Sequence, residues 1–361
     1  MRKETTMKYQ LPTFLLCVFA SFYTYGQIGE ISFISGEVEL IRDEEVLTEN
    51  ELTIGHEIEN YDQILTASDG QLIINLTSAR NPDAEIHIAP NTTFVIDVNR
   101  IRGNETTTLS LITGSLGLKV QKLGGNQRFH VQTEAATMGV RGTEFSVETS
   151  PAGDVLVTCS DGAVACRDEE SRREIDARPG TVVEKRSDGD MVSIPVALSG
   201  LRNFRKEWLA ERISAFKPNA LRVIRFYARR YDDLYNRFNA EYEALVLKTA
   251  ILDKWTGEDR EDRLGSRIQI MREKKQIIGY LFRIQRILFV FERVYHRLLE
   301  LHRYFEEGYG EGEVKPGLST SEFFRRFLNQ RQDLSTKVRK VRYIMKLYAK
   351  RNEGSFPTSQ F

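Results

Sequence analysis

Five histidines, three cysteines and 51 acidic side chains bound the chemistry this 361-residue chain could carry. The most regular array is Glu292, His296 and Glu300, four residues apart and so on one face of a helix. Three metal ligands could share that spacing, but polar pairing on a solvated face explains it without a metal. His56, His87 and His130 fall in separate strand-like runs with no ligand spacing. Glu57, Glu59 and Asp62 crowd together, as do Asp188 and Asp190 around Gly189, and paired carboxylates can cleave a glycan. Only acid richness favours that enzyme reading. "GYGEGEVKPG" (308–317) has part of the glycine spacing of a phosphate loop, yet it follows a helical pattern and not a strand. It reads as a flexible helix–helix loop. Ser115 in "TGSLG" lacks the upstream glycine of a nucleophile elbow. The expectation is a non-enzyme, with no cofactor and no metal.

Cysteine usage depends on the compartment. Arg2, Lys3 and Lys8 precede the apolar run "LPTFLLCVFASF", and Thr24 and Gly26 stand at −3 and −1 of a cut before Gln27, the pattern of a secretory leader. An exported chain would keep only Cys159 and Cys166, in a compartment that tolerates disulfides. If Asp161-Gly162 makes a two-residue hairpin turn, the two cysteines are diagonal neighbours at the limit of disulfide reach. A bond and two small buried thiols both remain open.

The elements that must position these residues change period near residue 200. From Ile28 to about Val196, short runs such as "QLIINL", "TFVIDV", "EFSVET" and "DVLVTC" alternate with period two. Turn pairs such as Ser35-Gly36, Asp69-Gly70 and Asp161-Gly162 separate them. This predicts an all-β domain, and the echo of "SGEVEL", "TGSLGLKV" and "SDGAVACR" suits a wound, solenoid-like one. Beyond Gly200 apolar residues recur every three or four positions. One line begins Leu221, Ile224, Ala228, Tyr231; a second begins Ile277, Leu281, Ile284, Leu288; a third begins Phe324, Phe327 and continues past Arg331 to Leu334 and Val338. An antiparallel bundle of three long helices plus a short one would bury these stripes. The expected layout is a signal peptide at 1–26, a β-domain at 28–197, a helical bundle or coiled-coil domain at 198–352 and a disordered tail at 353–361.

"ATMGVRGTEF" (136–145) sets Gly139 and Gly142 around Val140-Arg141 and then starts a strand with Thr143 and Phe145. The glycines allow a tight corner, which the Arg141 guanidinium could brace through neighbouring carbonyls or carboxylates. With "SGEVEL", "LTIGHEIENYDQILTASDGQLIINL", "IHIAPNTTFVI", "LSLITGSLGLKV", "VLVTCSDGAVAC" and "ARPGTVV" in that order, about Ile28 to Val196 resembles the FecR domain family. FecR-type regulators carry this domain outside the cytoplasm. The resemblance implies an exported β-domain that binds or is bound. One feature departs from those regulators: only a short basic leader precedes Leu11, leaving no room for a cytoplasmic anti-sigma segment.

Charge divides as the periods do. Residues 201–361 hold 34 basic and 21 acidic side chains, a net of +13, and residues 1–200 hold 17 and 30, a net of −13. Such a split speaks of partners. The basic helices could dock on the acidic β-half, self-associate, or meet an anionic envelope component; export argues against nucleic acid. The chain therefore reads as an exported binding, scaffold or sensing module of a bacterial periplasm or envelope that recognises a protein partner. Signalling through a separate partner is the alternative.

Overall fold

A computed structural model describes residues 27–42, 45–76, 84–101, 104–123, 127–140 and 142–352. The expected leader, the expected tail and Arg141 lie outside the described residues.

Two nine-stranded sheets form the N-terminal half, and the chain crosses between them repeatedly. β1 (Gln27–Ser35) lies in the first sheet, β2 (Val38–Arg42) and β3 (Glu45–Leu47) in the second. β4 (Glu57–Glu59) returns to the first, β5 (Gln63–Thr66) to the second, and β6 (Gln71–Leu76) and β7 (Ala84–Ile88) to the first. β8 (Thr93–Ile101) and β9 (Asn104–Thr113) join the second, and β10 (Ser115–Val120) the first. The second then takes β11 (Gln127–Gln132) and β12 (Ala136–Val140), and the first takes β13 (Thr143–Thr149) and β14 (Val155–Asp161). β15 (Val164–Asp168) and β16 (Glu174–Ala177) complete the second, β17 (Thr181–Lys185) and β18 (Met191–Pro195) the first. Pairing is antiparallel except between β9 and β11. Neither strand order closes into a barrel.

Period two has a direct packing consequence. Alternate residues of both sheets, among them Ile74, Ile86, Leu118 and Val147 of the first and Leu40, Ile96, Leu111 and Val131 of the second, meet in one apolar core. The residues between them point outward, and much of that outward face is covered as well. On the first sheet, Leu156 and Val182 pack against Trp208 of α1 (Leu201–Phe216). On the second, Val95 and Ile112 are buried without joining the core between the sheets; they face the remaining helices.

Those helices are α2 (Ala220–Val246), α3 (Thr249–Arg260), α4 (Arg267–Glu306) and α5 (Thr320–Lys350). Their stripes share a second core rich in rings: Tyr231, Phe238, Phe291, Phe323 and Phe327 are all essentially inaccessible. Ser319 caps α5 in a capping box with Glu322, each side chain accepting from the other's backbone N–H.

In its secondary structure and strand connections the chain differs from the sequence reading in three places. By composition "TGEDRED" (256–262) reads as a loop between helices, yet Thr256 to Arg260 is helical, because Trp255 is buried and Glu258 pairs with Arg351 of the terminal turn. Packing overrides the low helix propensity of Gly257. Residues 308–317 are not a flexible loop. Within them β19 (Glu313–Lys315) pairs with β20 (Leu318–Ser319) just beyond, a hairpin clamped on α2 by Arg225 to the Glu313 carbonyl and by Lys315 to Asp232. The Asp161-Gly162 turn joins no hairpin, since β14 pairs with β13 and β17 and β15 pairs with β12 and β16. Cys159 and Cys166 therefore enter the core from different sheets, and both thiols are free and buried.

Burial pushes these thiols up to about 11 and about 12, far from the thiolate that reacts. In the folded chain neither should be alkylated at neutral pH, whereas both should label after unfolding without reductant, as read by peptide mapping. Trp208 donates from Nε1 to Glu184 at 2.8 Å, and Glu184 is buried. Trp208→Phe should lower stability in urea unfolding by about 1–3 kcal/mol, the cost of a buried acceptor losing a donor.

Candidate functional site

The motif that carried the resemblance forms a corner between sheets. β12 ends at Val140 in the second sheet and β13 begins at Thr143 in the first. Gly142 has φ +67°, and a Cβ there would come within 2.9 Å of Lys122 Cγ, so only glycine fits. Gly139 is ordinary strand, where a Cβ would make an unstrained 3.9 Å contact with Ala165 and His130; its freedom is not used. Val140, Thr143 and Phe145 are buried. The corner at Gly162 stacks on this one, a Cβ there meeting the Gly142 carbonyl at 2.7 Å. Among its described residues, none lines either of the two clefts beside the helices.

Of the clustered acidic groups, Glu59 and Asp62 are occupied. Arg42 forks onto Asp62 at 2.9 and 2.6 Å and reaches Glu59, which Lys346 of α5 also holds. Burial nevertheless pushes Asp62 up to about 6. Asp188 is exposed on an open turn, 3.8 Å from Arg222. Among the described residues no group of His, Cys, Asp or Glu could hold a metal ion.

Glu292, His296 and Glu300 are where the sequence reading fails most instructively. Their helix face is not solvated; it is laid on the second sheet. Glu292 takes a bidentate grip from Arg342 of α5 at 3.1 and 2.5 Å, and Arg342 also donates to the Tyr61 carbonyl. Glu300 pairs with Arg297, whose guanidinium donates to the carbonyls of Ser150 and Ile112. His296 meets the Gln63 amide of β5 at 2.6 Å. Burial, with Arg342 and Arg331 nearby, holds this imidazole down to about 3, so it is neutral and accepts from Gln63. Glu134 receives Tyr227 and Arg230 of α2, and Glu148 receives Arg205 of α1. The +13 half thus docks on the −13 half through specific pairs, Arg205–Glu148, Arg230–Glu134 and Lys346–Glu59, each of them partly exposed. The missed signal was in α4: polar Arg293, His296, Arg297 and Glu300 themselves recur at spacings of three and four, a second stripe beside the apolar one.

Where the seam opens, a cleft of about 220 Å³ lies between β2, β3 and β5 on one side and α4 and α5 on the other. Ile41, Leu65, Phe291, Leu334 and Val338 supply apolar wall; Glu39, Gln63, Tyr295 and His296 supply polar atoms; Arg331, Ser335 and Arg339 line its α5 side. This is a recess shared by both halves.

Asp97 of β8 is the seam's least satisfied group. Its Oδ1 is buried without a partner, and burial pushes it up to about 6 although Arg342 acts the other way. A carboxyl whose folded pKa is raised contributes its stability in acid, below the ordinary carboxylate range, and loses it as pH rises through 6. Asp97→Asn should therefore stabilise the protein at pH 7.5 by at most about 3 kcal/mol. The gain should vanish near pH 4, as read from urea midpoints at the two pH values.

Residues 62–165 match the family model described as "FecR protein". No curated protein matches the chain. Two solved structures of a candidate anti-sigma factor from Parabacteroides distasonis are similar in part. One has a TM-score of 0.33 at 14% identity, over 40% of this chain and 63% of that one. The other has 0.32 at 15% identity, over 40% and 64%. The chain thus spans a little under two thirds of the length of the solved chains it matches. What the family match covers is the stretch from the acidic turn at Asp62 through the Gly142 corner to β15: the chain carries a FecR domain.

Proposed function

We propose that this chain is a non-catalytic binding and sensing module of the cell envelope, exported by its leader and engaged by a protein partner. In this reading the β-half is a wound, solenoid-like module, and the helices form a bundle that braces it. The FecR match supports a regulator-like role. The observation that carries the reading is the seam between the halves. It is held by carbonyl contacts from Arg297 and Arg342, by the Lys346 pair with Glu59, and by the hydrogen bond that His296 accepts from the Gln63 amide. It also leaves Asp97 Oδ1 and the Nε atoms of Arg297 and Arg339 without partners. An apolar seam would be fixed; a polar seam with imperfect satisfaction sits close to its alternatives. A partner that prefers one arrangement of the halves can then shift the population.

The test is crosslinking of the full-length chain in its native envelope, with Gln63→Cys/His296→Cys joined by a short thiol crosslinker as the locked form. An envelope protein should be captured by the wild type, and its capture should change on locking but not in the unlinked double variant. No captured envelope protein, or identical capture by locked and unlinked forms, overturns the reading.

A further inference from the structure

The cleft is bordered by two cations that the fold leaves without a carboxylate. Arg331, Ser335 and Arg339 are four residues apart on α5 and so share a face. Elsewhere in the helical half, Arg297, Arg326, Arg342 and Arg351 each reach a carboxylate. Among the described residues, neither Arg331 nor Arg339 has a carboxylate within ion-pair distance. Arg339 donates only to the hydroxyls of Ser335 at 3.0 Å and Thr336 at 3.3 Å, and its Nε is buried with no partner. Arg331 lies against the Tyr295 hydroxyl. A guanidinium presents a planar fork matched to a carboxylate, and two of them bordering an apolar recess is the composition of a site for an organic anion.

The opposite wall narrows the class. Glu292 is saturated by Arg342, but Glu39 lines the cleft with no ion pair among the described residues. His296 is neutral and offers no further positive charge. A dianion such as phosphate would face Glu39 with only two cations to offset it, whereas a single carboxylate on α5 leaves the balance even. The remaining surface, Ile41, Leu65, Phe291, Leu334 and Val338, wants hydrocarbon. About 220 Å³ suits one compact group.

We infer that this cleft binds a monocarboxylate on a compact apolar body, with the carboxylate on Arg339 and Arg331 and the hydrocarbon between β5 and α4. Such a group could come from a free hydrophobic acid or from the C-terminal residue of a chain. The inference rests on the binding reading above and names the ligand class of the recess between its two halves. Occupancy would bridge both halves, since the walls come from β2, β3 and β5 as well as from α4 and α5.

Isothermal titration of the full chain tests it with three probes: phenylacetate, an N-acetylated Gly-Gly-Phe tripeptide with a free carboxylate, and the same peptide as its amide. Phenylacetate should bind, the amide should bind at least about tenfold more weakly than the acid, and Arg339→Gln should weaken the acids by a similar factor. Arg331→Gln, at an exposed position, should do likewise should the Arg339 variant not fold; Arg339→Lys should retain part of the affinity. Binding of phenylacetate without the acid peptide assigns the site to free acids, and binding of both admits chain ends. No heat with either acid at millimolar concentration, equal binding of the amide, or unchanged affinity in both arginine variants overturns the inference. A wild-type chain that binds no acid yet still captures an envelope protein ends the cleft assignment alone. One that binds acid but captures none ends the partner reading alone.

Discussion

The organisation of this protein depends on one act of desolvation, the burial of the outer face of the second sheet beneath α4. A two-sheet sandwich ordinarily leaves that face to water, and its residues are chosen accordingly. Here Gln63, Asp97 and the Ile112 carbonyl lose their water to a helix. Each must then find a partner on that helix or go without. Arg297 supplies the Ser150 and Ile112 carbonyls, His296 supplies Gln63, and Asp97 goes partly without.

The same constraint explains the charge division. A helix that lies on strand ends and turns meets carbonyls and carboxylates, and arginine is the side chain that can serve both at once. Arg342 spans Glu292 and the Tyr61 carbonyl; Arg42, from the other side, gathers Glu59 and Asp62 beside Lys346. Tyr61 itself has φ +71°, an uncommon conformation for a bulky residue. Asn60 holds that turn by exchanging two hydrogen bonds with the Val98 backbone, and the Tyr61 ring packs on the helical core. The acidic turn that looked like a catalytic group is a docking point.

Burying a charge pair contributes less than burying hydrocarbon, because desolvation offsets most of the attraction. The charge pairs of the seam therefore hold register better than they add stability, while the two large apolar cores hold the halves and the small Trp208 cluster ties α1 to the first sheet. That division of labour leaves a recess beside β3, at the rim of the second sheet, where the helices diverge from the strands. Arg331 and Arg339 border it without the carboxylates that quiet their neighbours.

Local period and turn chemistry were readable from the residues alone. Alternation in "QLIINL" and "TFVIDV" gave strands with the expected inward faces, and the stripe Ile277, Leu281, Ile284, Leu288 gave the buried side of α4. The FecR resemblance lay in ordered motifs, and the Gly142 corner in a glycine spacing. Pairing was not readable, because Asp161-Gly162 has the composition of a hairpin turn whether it joins strands of one sheet or of two. The fate of Glu292, His296 and Glu300 was hidden for a deeper reason. A polar helix face looks the same whether water or a sheet will cover it, and only the tertiary arrangement decides which. The sequence by itself determined which residues would be strands, helices and corners, since those follow from local sterics and periodicity. Which charges would be paired, stranded or left lining a cleft depended on how the two halves came together, since desolvation belongs to no single residue.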